Sequence, residues 1–257
     1  MTRSIGFVVA LVVAVTALAG AAPGPQGRQG TLRVLAFWSK DVEGDHVEFA
    51  RQAVEFYRQA AAADHYQFES TTDWDDLNAK RLEGVGVVVW LDDSPHDERQ
   101  RAGFESYMEK GGGWIGFHAA GYNDSSTHWP WFVHFLGGAV FYGNNWPPLP
   151  AWLAVDDPAH PVTRNLPKRL LSPDNEWYSW RPNPRADKDV KVLLTLDRAN
   201  FPLGLKDTIT GGDVPVAWTN TRYRMIYFNM GHGDKILTDS RQDRMFENAV
   251  LWLGRRR

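Results

Sequence analysis

Gly111-Gly112-Gly113-Trp114-Ile115-Gly116-Phe117-His118-Ala119-Ala120 decides how this chain is read. Gly111 suits a helix stop, because glycine enters the left-handed conformation that ends a helix without steric cost. Trp114 to Phe117 is short and apolar, as a buried strand requires. His118 follows at that strand's carboxyl end, the rim on which open α/β sheets bind their ligands. Its neighbours are small, as at a sharp strand-to-helix elbow that presents a reactive side chain. A serine or cysteine stands at such an elbow when the chemistry is acyl transfer; here the group presented is an imidazole.

Upstream, residues 32–38 form an apolar run that predicts a first strand. Residues 46–63 carry Val47, Ala50, Ala53, Val54 and Tyr57 near helical spacing, and residues 66–69 suit a second strand. Thr72-Asp73-Trp74-Asp75-Asp76 offers capping groups ahead of a second helical stretch ending at Gly84. Residues 85–91 are β-branched almost throughout, as in a strand buried on both faces. Ser94-Pro95 opens a third helix with proline at its first position.

Downstream, residues 129–136 predict a short helix stopped by Gly137-Gly138, followed by a Trp- and Pro-rich loop through Pro150. Residues 152–155 and 190–196 read as strands, and residues 214–218 and 222–230 as a hairpin turning at Asn220-Thr221. Asp239 caps a last helix with Met245, Ala249 and Trp252 on one face. Alternating strands and helices imply right-handed crossovers. The predicted fold is therefore α/β, a three-layer, doubly wound, mostly parallel sheet.

A length of 257 residues suits one substantial domain, expected over 31–254. Before it, Arg3 and an apolar stretch from Ile5 to Leu18 lead to Ala19-Gly20-Ala21. That pattern predicts a signal peptide over 1–21, then a linker over 22–30, and hence export to a periplasmic or extracellular space. The apolar stretch is too short for a comfortable membrane span, so none is expected after cleavage. A net charge of −3 makes nucleic acid a poor partner. The chain has no cysteine, which excludes disulfides, thiolate metal sites, lipoprotein anchoring and a thiol nucleophile. The expected partner is a small carbohydrate; association with further copies of the chain is open.

Four polar sites stand out: His118; Asp157-Pro158-Ala159-His160-Pro161; Asp174-Asn175-Glu176-Trp177-Tyr178; and Asn229-Met230-Gly231-His232-Gly233. Histidine and carboxylate are the groups needed for acid–base work near neutral pH, or for holding a divalent metal such as zinc. His118, Glu176 and His232 are the predicted catalytic groups and the predicted metal ligands. His118 could instead be a buried imidazole satisfied by backbone, but the glycines around it favour close approach of a ligand. His160, before Pro161, also suits a turn-stabilising role. His46, His65 and His96 read as surface groups, and His128 and His134 as flanks of an aromatic helix.

The chain holds 12 tryptophans, and Trp129, Trp131, Trp146, Trp152, Trp177 and Trp180 crowd its irregular middle. Flat rings with a polar edge suit a pocket that stacks on sugar, although any single ring could equally be core. Trp129, Trp131, Tyr142, Asn144, His160, Trp177 and Tyr178 are the expected substrate-binding residues.

The glycine-rich run ending in His118-Ala119-Ala120 is one part of a wider pattern. Trp129-Pro130-Trp131-Phe132 leads to Leu136-Gly137-Gly138, followed by Asp157-Pro158-Ala159-His160-Pro161-Val162-Thr163. Then come Glu176-Trp177-Tyr178, Val192-Leu193-Leu194, Pro215-Val216-Ala217-Trp218 and Gly231-His232-Gly233. In this order and spacing the chain resembles the ThuA-like (trehalose-utilisation) family. The resemblance implies a flavodoxin-like fold of the class I glutamine-amidotransferase type, with His118 near the elbow where amidotransferases carry cysteine. It also implies a role in disaccharide or keto-sugar metabolism. One departure matters: where family members often carry a histidine after the Gly-Gly-aromatic segment, this chain has Phe141-Tyr142-Gly143-Asn144-Asn145. Asn144 can only donate or accept hydrogen bonds there. Two functions are therefore expected: an exported enzyme acting on carbohydrate, or a non-catalytic sugar-binding protein on the same scaffold.

Overall fold

Runs of β-branched and aromatic residues become strands because such side chains pack well on a pleated surface. The computed structural model describes Met1 and residues 31–124, 126–200 and 212–254; the expected leader and linker otherwise lie outside the described residues. In chain order the strands are Arg33–Phe37 (β1), Gln67–Thr71 (β2), Val87–Trp90 (β3), Gly113–Phe117 (β4), Phe141–Asn144 (β5) and Leu149–Val155 (β6). Arg169–Asn175 (β7), Tyr178–Trp180 (β8), Val190–Leu196 (β9), Pro215–Asn220 (β10) and Arg224–Phe228 (β11) follow. The α-helices are Gly44–Asp64 (α1), Glu98–Glu109 (α2), Pro130–Phe135 (α3) and Ser240–Gly254 (α4).

The described residues form a nine-stranded sheet in the order β2-β1-β3-β4-β11-β10-β9-β6-β7. From β2 through β11 every neighbouring pair is parallel; from β11 through β7 every pair is antiparallel. Strands β5 and β8 make a separate two-stranded antiparallel sheet. Alternate residues of each strand face opposite ways. Val34, Val87, Ile115 and Phe228 pack with Phe49 and Ala53 of α1 and with Phe246 and Ala249 of α4. On the other face, Leu35, Trp90 and Trp114 pack with Phe104 of α2 and Phe132 and Phe135 of α3. The result is the predicted three-layer doubly wound architecture. Among the described residues, no helix is long and apolar enough to cross a membrane.

Local departures from expectation have local causes. The helix expected up to Gly84 is only a 3-10 turn at Trp74–Asp76, because Asp73 and Asn78 accept from the Asp75 and Arg81 N–H groups in local turns instead. Helix α2 begins at Glu98 rather than after Ser94-Pro95, since Asp97 caps it by accepting from the Gln100 N–H. Asp239 caps α4 as expected, accepting from the Arg241 and Gln242 N–H groups. The loop expected through Pro150 contains β5 and the start of β6, and β7 and β8 were unforeseen.

Candidate active site

β4 ends at Phe117, and the chain turns there because His118 adopts φ +42°, a left-handed conformation that is unfavourable for a residue with a side chain. Packing holds it: the Tyr227 hydroxyl on β11 donates to the His118 carbonyl at 2.9 Å. The imidazole is fully buried. Its Nδ1 lies 2.9 Å from the Asn229 carbonyl oxygen. A carbonyl can only accept, so Nδ1 carries the proton and the Nε2 lone pair faces outward. Nε2 is 3.2 Å from Glu176 Oε2, and the Tyr178 ring lies against the imidazole with centroids 3.9 Å apart.

Glu176 sits between β7 and β8, where the backbone leaves one sheet for the other. Three fully buried asparagines fix that crossing. Asn175 Oδ1 accepts from the N–H groups of Gly231 and His232, while its Nδ2 donates to the carbonyls of Glu176 and Asn229. Asn229 pairs with both backbone groups of Tyr178. Asn145 Oδ1 accepts from the Trp177 N–H. Loop 229–232 is thereby bound to segment 175–178, although the two are remote in sequence. Asn144 Nδ2 donates to Glu176 Oε1.

The third imidazole, His232, is 1% exposed. Its loop is tied to the start of α1 by the Gly233 N–H, which donates to the Asp45 carbonyl at 3.0 Å. That contact sets His232 beside His46 in the first turn of α1. The ring centroids of His46, His118 and His232 stand 5.1, 5.1 and 5.5 Å apart, an almost equilateral triangle. Glu43 borders it, with Oε1 3.4 Å from His232 Nε2 and Oε2 3.6 Å from His46 Nε2. Glu176 Oε2 is 3.9 Å from His232 Nε2.

Burial governs the charges. It holds His118 down to about 3, helped by the neighbouring His232, and His46 down to about 4, helped by His118. Burial also raises Glu176 above the usual carboxylate range. Both members of the His118–Glu176 pair are thus driven toward neutrality. An ionised Glu176 would face a lone pair on Nε2; a proton on Oε2, or a cation between them, resolves the repulsion. These buried His and Glu side chains form a cluster with the donors and spacing for a divalent metal.

The structure brings His118, Glu176 and His232 together, with Tyr178 and Asn144 beside them. His46 corrects the sequence reading: expected at the surface, it is 7% exposed and belongs to the cluster. Local pattern could not show this, because loop 229–233 covers it only in the folded chain. His160 stands apart. It shares a cavity of about 1170 Å³ with Gly86, Gly112 and Arg224, which lie at the amino-terminal ends of β3, β4 and β11, the rim opposite His118. There its ring packs on Trp252 and its Nδ1 accepts from the Val162 N–H, the turn-stabilising alternative.

Most of the tryptophans are core. Trp129 stacks on Phe132 and Trp131 on Phe135, with centroids 4.7 and 5.0 Å apart, under α3. Trp177 is fully buried and donates from Nε1 to the Leu149 carbonyl. Tyr142 is exposed on β5, with the Arg181 guanidinium 3.6 Å over its ring. Trp146, 67% exposed, is the tryptophan that borders the site, its centroid 6.2 Å from that of His232.

The sheet order gives a flavodoxin-like, glutamine-amidotransferase-like three-layer α/β fold, with His118 at the turn that ends β4. With no cysteine in the chain, glutaminase-type catalysis is ruled out. The ThuA family model, described as trehalose utilisation, matches residues 33–253, and the chain belongs to that family. It is 46% identical to a Bacteroides uniformis protein described as ThuA-like, with a TM-score of 0.83 over 93% of this chain and 95% of that one. A second ThuA-like structure, from Parabacteroides merdae, is 16% identical with a TM-score of 0.64, covering 87% of this chain and 90% of that one. A Thermoplasma acidophilum protein described as a GMP synthase component shares the fold at 9% identity and a TM-score of 0.55, over 87% and 94% of the two chains. A search of curated proteins finds no match.

Proposed function

We propose that this protein is an exported enzyme acting on a disaccharide or keto-sugar by acid–base chemistry, with Glu176, His118 and His232 as its catalytic groups. The observation that carries the reading is the buried Glu176–His118 contact at the ligand-binding rim of a trehalose-utilisation fold. Neutral His118 presents an Nε2 lone pair to Glu176. As a carboxylate, Glu176 would take a proton from a carbon beside a sugar carbonyl, share it with Nε2 where no cation occupies that lone pair, and return it at the former carbonyl carbon. A second proton would pass from the neighbouring hydroxyl to the carbonyl oxygen, and together these transfers are an isomerisation. His232 would hold or release a proton on the sugar oxygens. Tyr178 would brace His118, and Trp146 would offer a flat face to the ring. A divalent cation such as zinc is the cofactor this reading assigns. Residues 1–21 would direct export and residues 22–30 would link them to a domain over 31–254.

Incubating the protein with disaccharides and keto-sugars in deuterated water tests the reading. Exchange of the proton beside the carbonyl is expected, and Glu176→Gln is expected to slow it about 100-fold or more. An unchanged rate in that variant would overturn the assignment. One observation favours a second reading, sugar binding without turnover: the Asn144 amide already occupies Glu176 Oε1. Tight sugar binding with no exchange in the wild-type protein would decide for it.

A further inference from the structure

His46 Nε2, the ring nitrogen that Glu43 borders, is buried without a hydrogen-bond partner among the described residues. A buried imidazole nitrogen left unpaired is costly, and its presence asks what the site is built to hold. Two overlapping sets have metal-ligand spacing: Glu43, His46 and His232, and His46, His118 and Glu176, each with ligand atoms within 4.8 Å of one another. His46 is common to both.

We propose that both sets serve one ion, so that Glu43, His46, His118, Glu176 and His232 are the ligands of a single divalent transition-metal site. The proposal deepens the cofactor part of the reading above and adds two residues, Glu43 and His46, that the sequence did not mark. Ligands bound at about 2.1 Å to one ion can stand no more than about 4.2 Å apart. The separations here are 3.2 Å for His118 Nε2 to Glu176 Oε2 and 3.4 Å for His232 Nε2 to Glu43 Oε1. They are 3.6 Å for His46 Nε2 to Glu43 Oε2 and 3.9 Å for His232 Nε2 to Glu176 Oε2. These four neighbouring pairs lie inside that limit, and within each set every pair of ligand atoms lies within 4.8 Å. The Asn229 carbonyl fixes the His118 proton on Nδ1, the outer-shell hydrogen bond that metal-bound histidines characteristically make, and leaves Nε2 as the donor atom. Imidazole and carboxylate donors without thiolate suit zinc, manganese or iron rather than copper(I).

The test uses the full chain stripped by chelator and titrated calorimetrically with Zn²⁺, then separately with Mn²⁺. One ion per chain is expected. His46→Ala and Glu43→Gln should each weaken Zn²⁺ binding about 100-fold or more, while His160→Ala on the opposite rim should leave it unchanged. Unchanged binding in His46→Ala would overturn this ligand set and return the ion to His118, Glu176 and His232. Failure of the wild-type chain to bind either metal would overturn the proposal outright, while the proton-exchange experiment still judges the acid–base reading. X-ray absorption of the zinc-loaded wild-type chain needs no variant: three imidazole ligands are expected, and two or fewer would refute the assignment.

Discussion

Gly231 stands against the back of His118. A Cβ placed on it would lie 2.8 Å from the His118 Cβ, and its φ of +147° is one that side-chain-bearing residues rarely adopt. Gly231→Ala must therefore push the imidazole away from Glu176 as well as strain the loop. We expect a loss of about 1–3 kcal/mol in urea unfolding together with weakened activity; full activity with wild-type stability would contradict the packing. Asp92, beyond β3, makes a separate prediction. Its Oδ1 accepts from the Ser39 N–H, its buried Oδ2 has no hydrogen-bond partner among the described residues, and burial pushes its carboxyl up to about 8. The folded value lies above the unfolded one of about 3.9, so the folded chain binds this proton more tightly. Its stabilising contribution is complete below about pH 4 and is lost as pH rises toward 8, at about 1.4 kcal/mol per pH unit. Asp92→Asn keeps the acceptor and removes the titration. Its stability gain over wild type should grow from about pH 5 to about pH 8; equal gains at both would refute the shift.

The elements separate what local pattern can show from what only packing decides. β1, α1, β3, β4, the β10–β11 hairpin and α4 were legible, because each carries an uninterrupted apolar period and clear end signals. β7 was not: Arg169–Asn175 includes Pro173, which sequence reasoning rejects in a strand. The strand tolerates it because, among the described residues, β7 is the edge of the sheet and pairs only with β6. β5 and β8 pair only with each other, and Gly143 weakens the strand signal further. His118, Glu176 and His232 were legible from glycine, aromatic and strand-end context, whereas His46 occupies an ordinary position near the start of an amphipathic helix. Just past β5, Trp146 bears a prediction of its own. It is largely exposed, so Trp146→Ala should leave thermal stability unchanged while raising KM for sugar about 10-fold at constant kcat, the signature of lost uniform binding. An unchanged KM would remove the ring from the recognition surface.

At the scale of the whole domain the two rims differ in chemistry. The His118 rim gathers the titratable cluster, and the opposite rim holds His160 against Trp252 in a cavity remote from it. The amino-terminal segment makes a prediction at this scale: residues 1–30 fused to alkaline phosphatase should yield active enzyme outside the cytoplasm, and replacing Leu11 and Val12 with arginine should abolish export. Activity confined to the cytoplasm would refute the leader.

Glu43 and His232 meet across a sequence separation of 189, which bears on how the molecule is made. Contacts so remote close late, after the entropy of a very long loop has been overcome. A nascent chain emerging from the ribosome can complete its first crossovers yet hold no finished cluster until His232 has been synthesised. Truncated products lacking His232 would therefore carry no complete His–Glu cluster, however well their amino-terminal half collapsed.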